Sequence, residues 1–283
     1  MNNQKVILIT GCSSGFGLLT AVRLAAQGHF VWATMRDLSK SKTLENELAK
    51  RNTQAIIREL DVTKPSTIKN VVEEIQKTHF HIDVLINNAG HGTAGFFEDL
   101  SQEEIRAQMD VNFFGVQNVC REVIPMMRKR SKGKIINISS IAGQIAVPCL
   151  SAYNASKWAL EAFSESLYYE LGLFGISVVL VEPGTYPTNI FTQNAHYARN
   201  FDNAQSPYFS FSQKLKLITQ NTIRKLKRDP DEVARLIENI VNKSHPRLRY
   251  VSDFASASRV VAQKILPPCL TAYIFRRFIY ANK

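Results

Sequence analysis

Short apolar runs alternate along this chain with longer stretches in which apolar residues recur every three or four positions. The short runs, rich in Val, Ile and Leu, predict buried strands, and the longer periodic stretches predict amphipathic helices. The predicted strands cover residues 5–9, 30–34, 55–60, 83–86, 134–138, 177–181 and 249–251. The predicted helices cover residues 18–27, 44–51, 66–78, 101 through 109 and beyond, 153–171 and 229–241. Because strands and helices alternate, we expect an α/β fold with a parallel sheet.

Two local signals mark helix ends in this pattern. Gly28 follows the first helical stretch and is typical of a C-terminal cap. Ser101 precedes another helical stretch, and Glu104 three residues later completes a capping-box sequence. The alternation runs without a low-complexity linker or a visible repeat of another kind through 283 residues, so we expect one domain.

The segment 185–228 does not fit the alternation. It is rich in Phe, Tyr and Asn, and four of its apolar residues recur at roughly helical spacing: Phe211, Leu215, Ile218 and Leu226. An insertion after the carboxyl end of a strand lies where ligands bind in open α/β sheets. We therefore expect residues 185–228 to form a substrate lid.

The tail, residues 266–283, is the second segment outside the alternation. Aromatic and aliphatic residues surround two arginines there: Ile274, Phe275, Arg276, Arg277, Phe278, Ile279 and Tyr280. Packing on its own domain, a docking helix, a dimer contact and a membrane-surface anchor all agree with this pattern.

Composition narrows the class of protein. Hydrophobic residues make up 45% of the chain, enough for a sizeable core. The apolar run that follows Lys5 is too short for a signal-peptide core or a membrane span. The four cysteines form no C-x-x-C pair and no zinc spacing, so we expect a reducing, cytoplasmic location and no metal. They are Cys12, Cys120, Cys149 and Cys269.

The formal net charge of +11 raises the question of a polyanionic partner. The sequence shows no helix-turn-helix signature, zinc knuckle or RNA-binding motif, so we expect no nucleic-acid partner. Much of the positive charge lies in the lid and the tail. A solvated basic face explains it, and the alternatives are an anionic cofactor or a peripheral membrane contact through the basic lid or tail.

A glycine-rich turn follows the first predicted strand and precedes the first predicted helix. Its spacing is T-G-x-x-x-G-x-G over residues 10–17. Glycine lets the backbone approach a pyrophosphate at a helix N-terminus, where amide groups and the helix dipole favour anions. An ordinary tight turn is the alternative. The predicted cofactor contacts in this turn are Gly11, Ser13, Ser14, Gly15, Phe16 and Gly17.

The end of the second strand selects between two dinucleotides. A carboxylate there binds the ribose 2′-hydroxyl of NAD, whereas a cation accommodates the 2′-phosphate of NADP. Arg36 stands at the expected contact and favours NADP(H). Asp37 follows it, and a shift in register by one or two residues would make it an NAD-type carboxylate.

A tyrosine and a lysine four residues apart stand at the start of the longest predicted helix. Positions i and i+4 share one helix face, so Tyr153 and Lys157 can act on one ligand. A neighbouring cation lowers the pKa of a phenol and suits it to exchange protons with a carbonyl and alcohol pair. By itself this spacing also arises by chance from a core tyrosine and a surface lysine.

Taken in order, these motifs resemble the short-chain dehydrogenase/reductase family over about residues 5 to 255. The motifs are the glycine turn, Asp61-Val62, N-N-A-G at 87–90, Asn112, Ser139-Ser140, Y-x-x-x-K at 153–157, and Pro183-Gly184 followed by Thr188. The resemblance implies a Rossmann-type, doubly wound parallel sheet. It also implies reversible hydride transfer between NAD(P) and a carbonyl or alcohol, in a homodimer or homotetramer.

The resemblance implies a role for each matching residue. Tyr153 would be the acid/base, and Lys157 would lower its pKa and hold the nicotinamide ribose. Ser140 would orient the substrate oxygen, and Asn112 would hold the water of a proton relay. The remaining cofactor contacts would be Asp61 and Val62 at the adenine, Asn88, Ala89 and Gly90 along the cofactor, Thr188 at the carboxamide, and Pro183 and Gly184 beside it.

Within the family, the sequences around residues 9–15 and 31–38 look like the branch of 17β-hydroxysteroid and retinol dehydrogenases. That branch handles bulky apolar alcohols and ketones. The pocket follows no assignable pattern; its expected residues are His91, Gly92, Gln144, Val147, Leu150, Tyr186 and Phe191, and the expected substrate contacts are Ser140, Tyr153, His91, Gln144 and Tyr186. The alternatives are an NAD-preferring dehydrogenase and a non-catalytic NADP-binding sensor.

Overall fold

A seven-stranded, all-parallel sheet forms the centre of the computed structural model, which describes residues 4–188 and 196–280. Its strands are β1 (Val6–Ile9), β2 (Phe30–Met35), β3 (Ile56–Glu59), β4 (Val84–Asn87), β6 (Gly133–Ile138), β7 (Ile176–Glu182) and β9 (Arg249–Val251). They lie in the order β3-β2-β1-β4-β6-β7-β9. Two further strands, β5 (Thr93–Ala94) and β8 (His196–Tyr197), pair in parallel outside this sheet.

Helices connect the strands and cover the sheet. They are α1 (Gly15–Ala26), α2 (Lys42–Lys50), α3 (Pro65–His79), α4 (Gln102–Met109), α5 (Gly115–Lys129), α6 (Ser151–Gly172), α7 (Phe209–Lys225), α8 (Asp231–Asn242), α9 (Phe254–Ile265) and α10 (Pro268–Tyr280). A π-helical turn at Asp110–Phe114 joins α4 to α5.

Both faces of the sheet are buried, which explains why its central strands are almost wholly apolar. In β1, Ile7 and Ile9 pack against α1, α2 and α8, whereas Val6 and Leu8 pack against α3, α5 and α6. Successive side chains of a strand point to opposite faces. The two clusters are therefore the two halves of one core, separated by the sheet.

The chain order reverses at β1, which pairs with β2 on one side and with β4 on the other. In open α/β sheets a crevice forms at such a point, beyond the carboxyl ends of the strands. The glycine turn and the N-N-A-G turn both leave strands at this place. The topology thus confirms the predicted doubly wound fold and locates its ligand crevice.

Most predicted elements are confirmed, with ends shifted by one to three residues. Gly28 has the left-handed φ of 81° expected of a cap, and both hydrogen bonds of the Ser101 capping box are formed. The prediction missed α9, the pair β5 and β8, and the π-helical turn. Within the described residues, none of the helices has the length and low charge that crossing a bilayer requires.

Candidate active site

A threonine and an asparagine hold the glycine turn to the end of β4. The Thr10 hydroxyl accepts hydrogen bonds from the amides of Asn88 and Ala89, each at 3.0 Å. The Asn88 side-chain amide donates to the carbonyls of Thr10 and Gly11, each at 2.9 Å. These four bonds join the two turns that border the crevice. Sequence reasoning assigned no role to Thr10, although a buried hydroxyl at a strand end was a usable signal.

The glycines of the first turn differ in what surrounds them. A Cβ at Gly17 would collide with the Gly11 carbonyl and the Asn88 side chain, so no larger residue fits there. Gly15 has a φ of +60°, and a Cβ there would meet nothing within 4 Å. Open space therefore lies before the first turn of α1, where Ser13, Ser14 and Phe16 are half-buried. A helix N-terminus with this access fits a pyrophosphate.

Arg36 and Asp37 leave the end of β2 in different ways. The Asp37 carboxylate accepts hydrogen bonds from the amide and the hydroxyl of Ser39, at 3.0 and 2.6 Å. These bonds lower the pKa of Asp37 and use the carboxylate as the cap of a short turn. The Arg36 side chain is exposed. At this position the exposed group is the cation, as a 2′-phosphate requires.

Asp61 and Val62 follow β3 at the same edge of the sheet. The Asp61 carboxylate accepts hydrogen bonds from the amide and hydroxyl of Thr63 at 3.0 and 2.7 Å. Burial raises the pKa of Asp61, but these hydrogen bonds outweigh it, and the net shift is downward. Val62 is buried against Gly115, where a Cβ would come within 2.6 Å of the valine Cγ2. Both residues thus have a fixed place beside the crevice.

Tyr153 lies in the first turn of α6 and meets Ser140, which follows β6. The two hydroxyls share a hydrogen bond. Ser140 is held by the Ala142 amide, which donates to its Oγ at 3.1 Å, and its hydroxyl lies 3.5 Å from the Pro183 carbonyl. Burial raises the pKa of the Tyr153 phenol, and the bond to Ser140 offsets this only in part. The phenol is therefore protonated at neutral pH in this structure.

Lys157 lies one turn beyond Tyr153 and is buried. Its Nζ donates to the Ile138 carbonyl at 2.8 Å and lies 5.9 Å from the centre of the Tyr153 ring. Burial lowers the pKa of Lys157 to about 8, although the nearby Glu161 carboxylate acts in the opposite direction. The sequence predicted that Lys157 lowers the pKa of the phenol. In the structure the Lys157 ammonium donates to the Ile138 carbonyl, and burial makes the net pKa shift of the phenol upward, so the role assigned to Lys157 stays a prediction.

Asn112 lies in the π-helical turn and is buried. Its side-chain amide donates to the His91 carbonyl and to the Ser156 hydroxyl, each at 3.0 Å, and its Oδ1 accepts from the His91 amide at 3.1 Å. The Ser156 hydroxyl in turn donates to the Tyr153 carbonyl at 2.8 Å. π-turns occur frequently at functional sites. Here the side chain of Asn112 ties the 90–92 loop to α6, a contact the sequence did not reveal.

The 90–92 loop covers the aromatic ring of Tyr153. A Cβ at Gly92 would approach the ring to 3.3 Å, so the loop lies directly on the tyrosine. The His91 ring stacks edge-on against His196 of β8, with 5.2 Å between centroids. Burial, followed by nearby cationic groups, lowers the pKa of His91 to about 4. His91 is therefore a neutral imidazole beside the crevice at physiological pH.

The arrangement of these groups can be compared with that of known proteins. The family model described as short chain dehydrogenase matches residues 5–198. The chain belongs to the short-chain dehydrogenase family. It is therefore an oxidoreductase that acts on CH–OH groups with NAD(P).

Two relatives of this short-chain dehydrogenase cover nearly the whole chain. The 3-ketodihydrosphingosine reductase of Bacteroides thetaiotaomicron is 38% identical over 275 residues, 97% of this chain and 97% of the relative. The retinol dehydrogenase 8 of Bos taurus is 33% identical over 277 residues, 95% of this chain and 88% of the relative.

Solved structures of the family superpose on this chain. A short-chain dehydrogenase from Streptomyces avermitilis has a TM-score of 0.81 at 30% identity, covering 99% of this chain and 98% of that one. A variant of the actinorhodin polyketide ketoreductase with NADPH has a TM-score of 0.74 at 26% identity, covering 89% and 96%. An NAD+-bound xylitol dehydrogenase has a TM-score of 0.75 at 25% identity, covering 87% and 96%. Members of the family thus bind either NAD or NADP.

Tyr186 does not face the pocket in this short-chain dehydrogenase, contrary to the prediction. Only 1% of its surface is exposed, and its ring packs edge-on against Phe16 with 5.7 Å between centroids. Its hydroxyl lies 3.3 Å from a carboxylate oxygen of Glu232, and the Arg228 guanidinium lies over its ring. Tyr186 therefore supports the side of the glycine turn, between Phe16 of α1, Glu232 of α8 and Arg228, which precedes α8.

Gln144 was also predicted to contact substrate, but both polar atoms of its side-chain amide form hydrogen bonds within the protein. Its nitrogen donates to the buried carboxylate of Glu182, and its oxygen accepts from the Lys264 Nζ at 2.5 Å. The side chain joins β7 to α9. The structure thus gives Gln144 a structural contact, because two charged partners from later in the chain reach it.

The remaining predicted residues lie near the carboxyl end of β7. The Gly184 amide donates to the Ser252 hydroxyl at 3.2 Å, and a Cβ on Gly184 would collide with Ser256 of α9. Thr188 is half-buried, and its amide donates to the Tyr186 carbonyl at 2.8 Å. Phe191 lies outside the described residues.

Two buried polar clusters were missed by sequence reasoning. One runs across the sheet to α6 through Asn87, Asn137 and Ser164, with hydrogen bonds of 2.8 Å at both steps. The other joins the carboxylates of Glu161 and Glu182 to Arg249 at 3.1 and 3.5 Å. Burial and the neighbouring Glu161 raise the pKa of Glu182 to about 7. Both clusters join residues that are distant in sequence, so no local sequence pattern predicts them.

Proposed function

We propose that this chain is an NADP(H)-dependent oxidoreductase that interconverts a bulky apolar ketone or aldehyde and the corresponding alcohol. One observation carries the proposal. Ser140, Tyr153 and Lys157 come together beside the 90–92 loop, at the same edge of the sheet as the glycine turn. A hydrogen-bonded phenol and serine can polarise one substrate oxygen, and the glycine turn can hold the cofactor whose nicotinamide exchanges a hydride.

In the reductive direction, the Tyr153 hydroxyl donates its proton to the substrate oxygen, on which negative charge develops. Its raised pKa keeps that proton in place at neutral pH. The Ser140 hydroxyl donates a second hydrogen bond to the same oxygen, and the donors are held by the surrounding protein before the reaction begins. Lys157, buried one turn away, provides the positive charge that stabilises the phenolate left behind.

The preference for NADP(H) rests on the contrast between Arg36 and Asp37. Asp37 is engaged with Ser39, whereas Arg36 is exposed at the end of β2. We assign the 2′-phosphate to Arg36 and the adenine to Asp61 and Val62. The other proposed cofactor contacts are Gly11, Ser13, Ser14, Gly15, Phe16, Gly17, Asn88, Ala89, Gly90, Tyr153, Lys157, Pro183, Gly184 and Thr188.

The apolar residues that cover the site support a bulky apolar substrate. An apolar cluster of Leu100, Ala152, Ala198 and Phe201 joins β5, the start of α6 and the segment after β8. This cluster supports the lid that the sequence predicts at residues 185–228, of which residues 189–195 lie outside the described part of the chain. Relatives named for a ketodihydrosphingosine and a retinol support a long apolar substrate.

The setting of the enzyme is also part of the proposal. We infer a homodimer or homotetramer in a reducing, cytoplasmic compartment. The four cysteines are all unpaired, which agrees with a reducing compartment. Equilibrium sedimentation of the full chain would measure the assembly.

The test of the proposed function is NADPH oxidation over a series of steroid, retinoid, aliphatic and aromatic carbonyl compounds. We expect turnover with bulky apolar members and little with short polar ones. NADPH binding, measured by fluorescence titration, should accompany it. Binding without turnover of any compound would favour the non-catalytic sensor, and faster turnover with NADH than with NADPH would favour an NAD-preferring dehydrogenase.

A further inference from the structure

The last two helices carry a run of exposed apolar side chains. At the two ends of α9, Phe254 and Ile265 are 87% and 75% exposed. On α10, Leu270, Tyr273 and Ile274 are exposed as well, with Tyr273 at 57%. A contiguous exposed apolar surface on a globular domain generally marks an interaction site. The described apolar side chains of α10 are thus only partly covered by their own domain.

The three large apolar residues of α10 that are exposed, among those described, share one face of the helix. Leu270, Tyr273, Ile274 and Arg277 follow the spacing i, i+3, i+4 and i+7, so they lie one above another. The Arg277 guanidinium lies 3.4 Å from the Tyr273 hydroxyl, and both groups stand at the polar border of the apolar face. Long cationic side chains in such positions can keep the charge in a polar layer while the stem covers apolar surface.

The positive charge of the last two helices favours an anionic membrane over a second copy of the chain as the partner of this face. Residues 254–283 contain five Lys and Arg and no Asp or Glu. A second copy of the chain would bring Arg276 and Arg277 close to like charges, which opposes self-association through this face. An anionic bilayer offers a matching partner, because its headgroups attract the cations and its acyl boundary receives the apolar side chains.

We propose that α10 and the C-terminal end of α9, at Ile265, form a peripheral docking surface for anionic membranes. The binding follows from the face itself and does not depend on the proposed function.

The surface lies next to the candidate active site. α9 reaches the loop after β6 through Lys264, which donates to Gln144, and through Gln263, which donates to the Ala146 carbonyl at 3.2 Å. That loop contains Ser140 and ends at the start of α6, which bears Tyr153. If the proposed apolar substrate is correct, docking would bring the pocket close to the bilayer in which such a substrate dissolves.

The experiment is co-sedimentation of the full chain with vesicles of phosphatidylcholine alone and of phosphatidylcholine mixed with phosphatidylglycerol. We expect binding to the mixed vesicles, weakened by high salt, and little binding to phosphatidylcholine. Arg276→Glu/Arg277→Glu should weaken binding by at least about ten-fold, since each cation near an anionic surface contributes about 1 kcal/mol. Leu270→Ser/Ile274→Ser should weaken it as well.

Matched controls separate the tail from general charge and apolarity. Lys77→Glu/Lys129→Glu reverses two exposed cations on α3 and α5, and Phe80→Ser/Leu173→Ser removes two side chains that are more exposed than those of Leu270 and Ile274. Both control variants should bind vesicles as the unaltered protein does. Far-ultraviolet circular dichroism and NADPH oxidation in vesicle-free buffer show that each variant is folded.

Three results would overturn the proposal. They are the absence of sedimentation by the unaltered chain, equal binding to both vesicle types, and unchanged binding by Arg276→Glu/Arg277→Glu. A change of oligomeric state in Leu270→Ser/Ile274→Ser, with no vesicle binding by the unaltered chain, would make the face a contact between copies. Loss of carbonyl reduction with vesicle binding retained would overturn the proposed function alone.

Discussion

The two sides of the crevice are formed by different kinds of chemical group. On the cofactor side, around β1, β2 and β4, main-chain groups, glycines and the Thr10 hydroxyl shape the surface. On the catalytic side, around β6, β7 and α6, ionisable side chains with shifted pKa values lie buried at the crevice or behind it. The difference indicates that shape controls the first side and protonation controls the second. Substitutions should therefore affect binding on one side and pH-dependent properties on the other.

The largest effect is expected on the catalytic side, from Tyr153→Phe. Removing the hydroxyl takes away the proton donor, so kcat should fall by about 10³-fold, within the range of general acid–base catalysis. NADPH binding, which we assign mainly to the glycine turn, should change little. Steady-state kinetics and fluorescence titration measure the two quantities. Near-normal kcat would refute the assignment of Tyr153.

Glu182→Gln tests the electrostatic character of the same side. Because burial raises the pKa of Glu182 from its ordinary value of 4.5 to about 7 in the folded protein, its contribution to stability is fully present below pH 4.5 and is lost as the pH rises through 7. The stability of the variant relative to the unaltered protein should thus rise by up to about 3 kcal/mol between pH 5 and pH 8.

Urea unfolding at the two pH values measures this difference. Glu59→Gln, at an exposed position, is the matched control and should show little change. If the stability difference between Glu182→Gln and the unaltered protein did not change with pH, protonation would not distinguish the catalytic side from the cofactor side.

On the cofactor side, Gly17→Ala should act through shape. The new Cβ would meet the Gly11 carbonyl and the Asn88 side chain, which hold the turn to β4. Overpacking of this kind costs about 1–3 kcal/mol in stability and should also weaken NADPH binding. Gly172→Ala, where a Cβ meets nothing within 4 Å, is the control. Unaltered stability and NADPH affinity in Gly17→Ala would show that the turn is looser than the contacts indicate.

The smallest effect is expected from Arg36→Ala. Losing one exposed cation at a phosphate should weaken NADPH binding by about ten-fold, or about 1.4 kcal/mol, which is near the low end of the range for a hydrogen bond to a charged group. NADH binding should be nearly unchanged, since NADH carries no 2′-phosphate. Equal losses of affinity for NADPH and NADH would remove the argument for NADP. Tighter binding of NADH by the variant, through Asp37, would strengthen the conclusion that Arg36 selects NADP.

The residues singled out in the sequence differed in how far a motif predicts their contacts. The capping box of Ser101 joins residues three apart, and Asn88 belongs to a recognisable motif at a strand end, although its hydrogen bond to Thr10 spans 78 residues. Tyr186 and Gln144 belong to no such motif and were misplaced, since only folding brings Glu232 and Lys264 to them. No local pattern encodes such partners.

The sequence by itself determined the order of strands and helices, the position of the glycine turn, and the pairing of Tyr153 with Lys157 on one helix face. These follow from periodicities of about two and 3.6 residues and from the backbone freedom of glycine. The tertiary structure alone decided that Lys157 points to the Ile138 carbonyl, that burial raises the pKa of Tyr153, and that Leu270, Tyr273 and Ile274 of α10 stay exposed. Solvent exclusion and contacts between distant residues set these properties, and both exist only once the chain has folded.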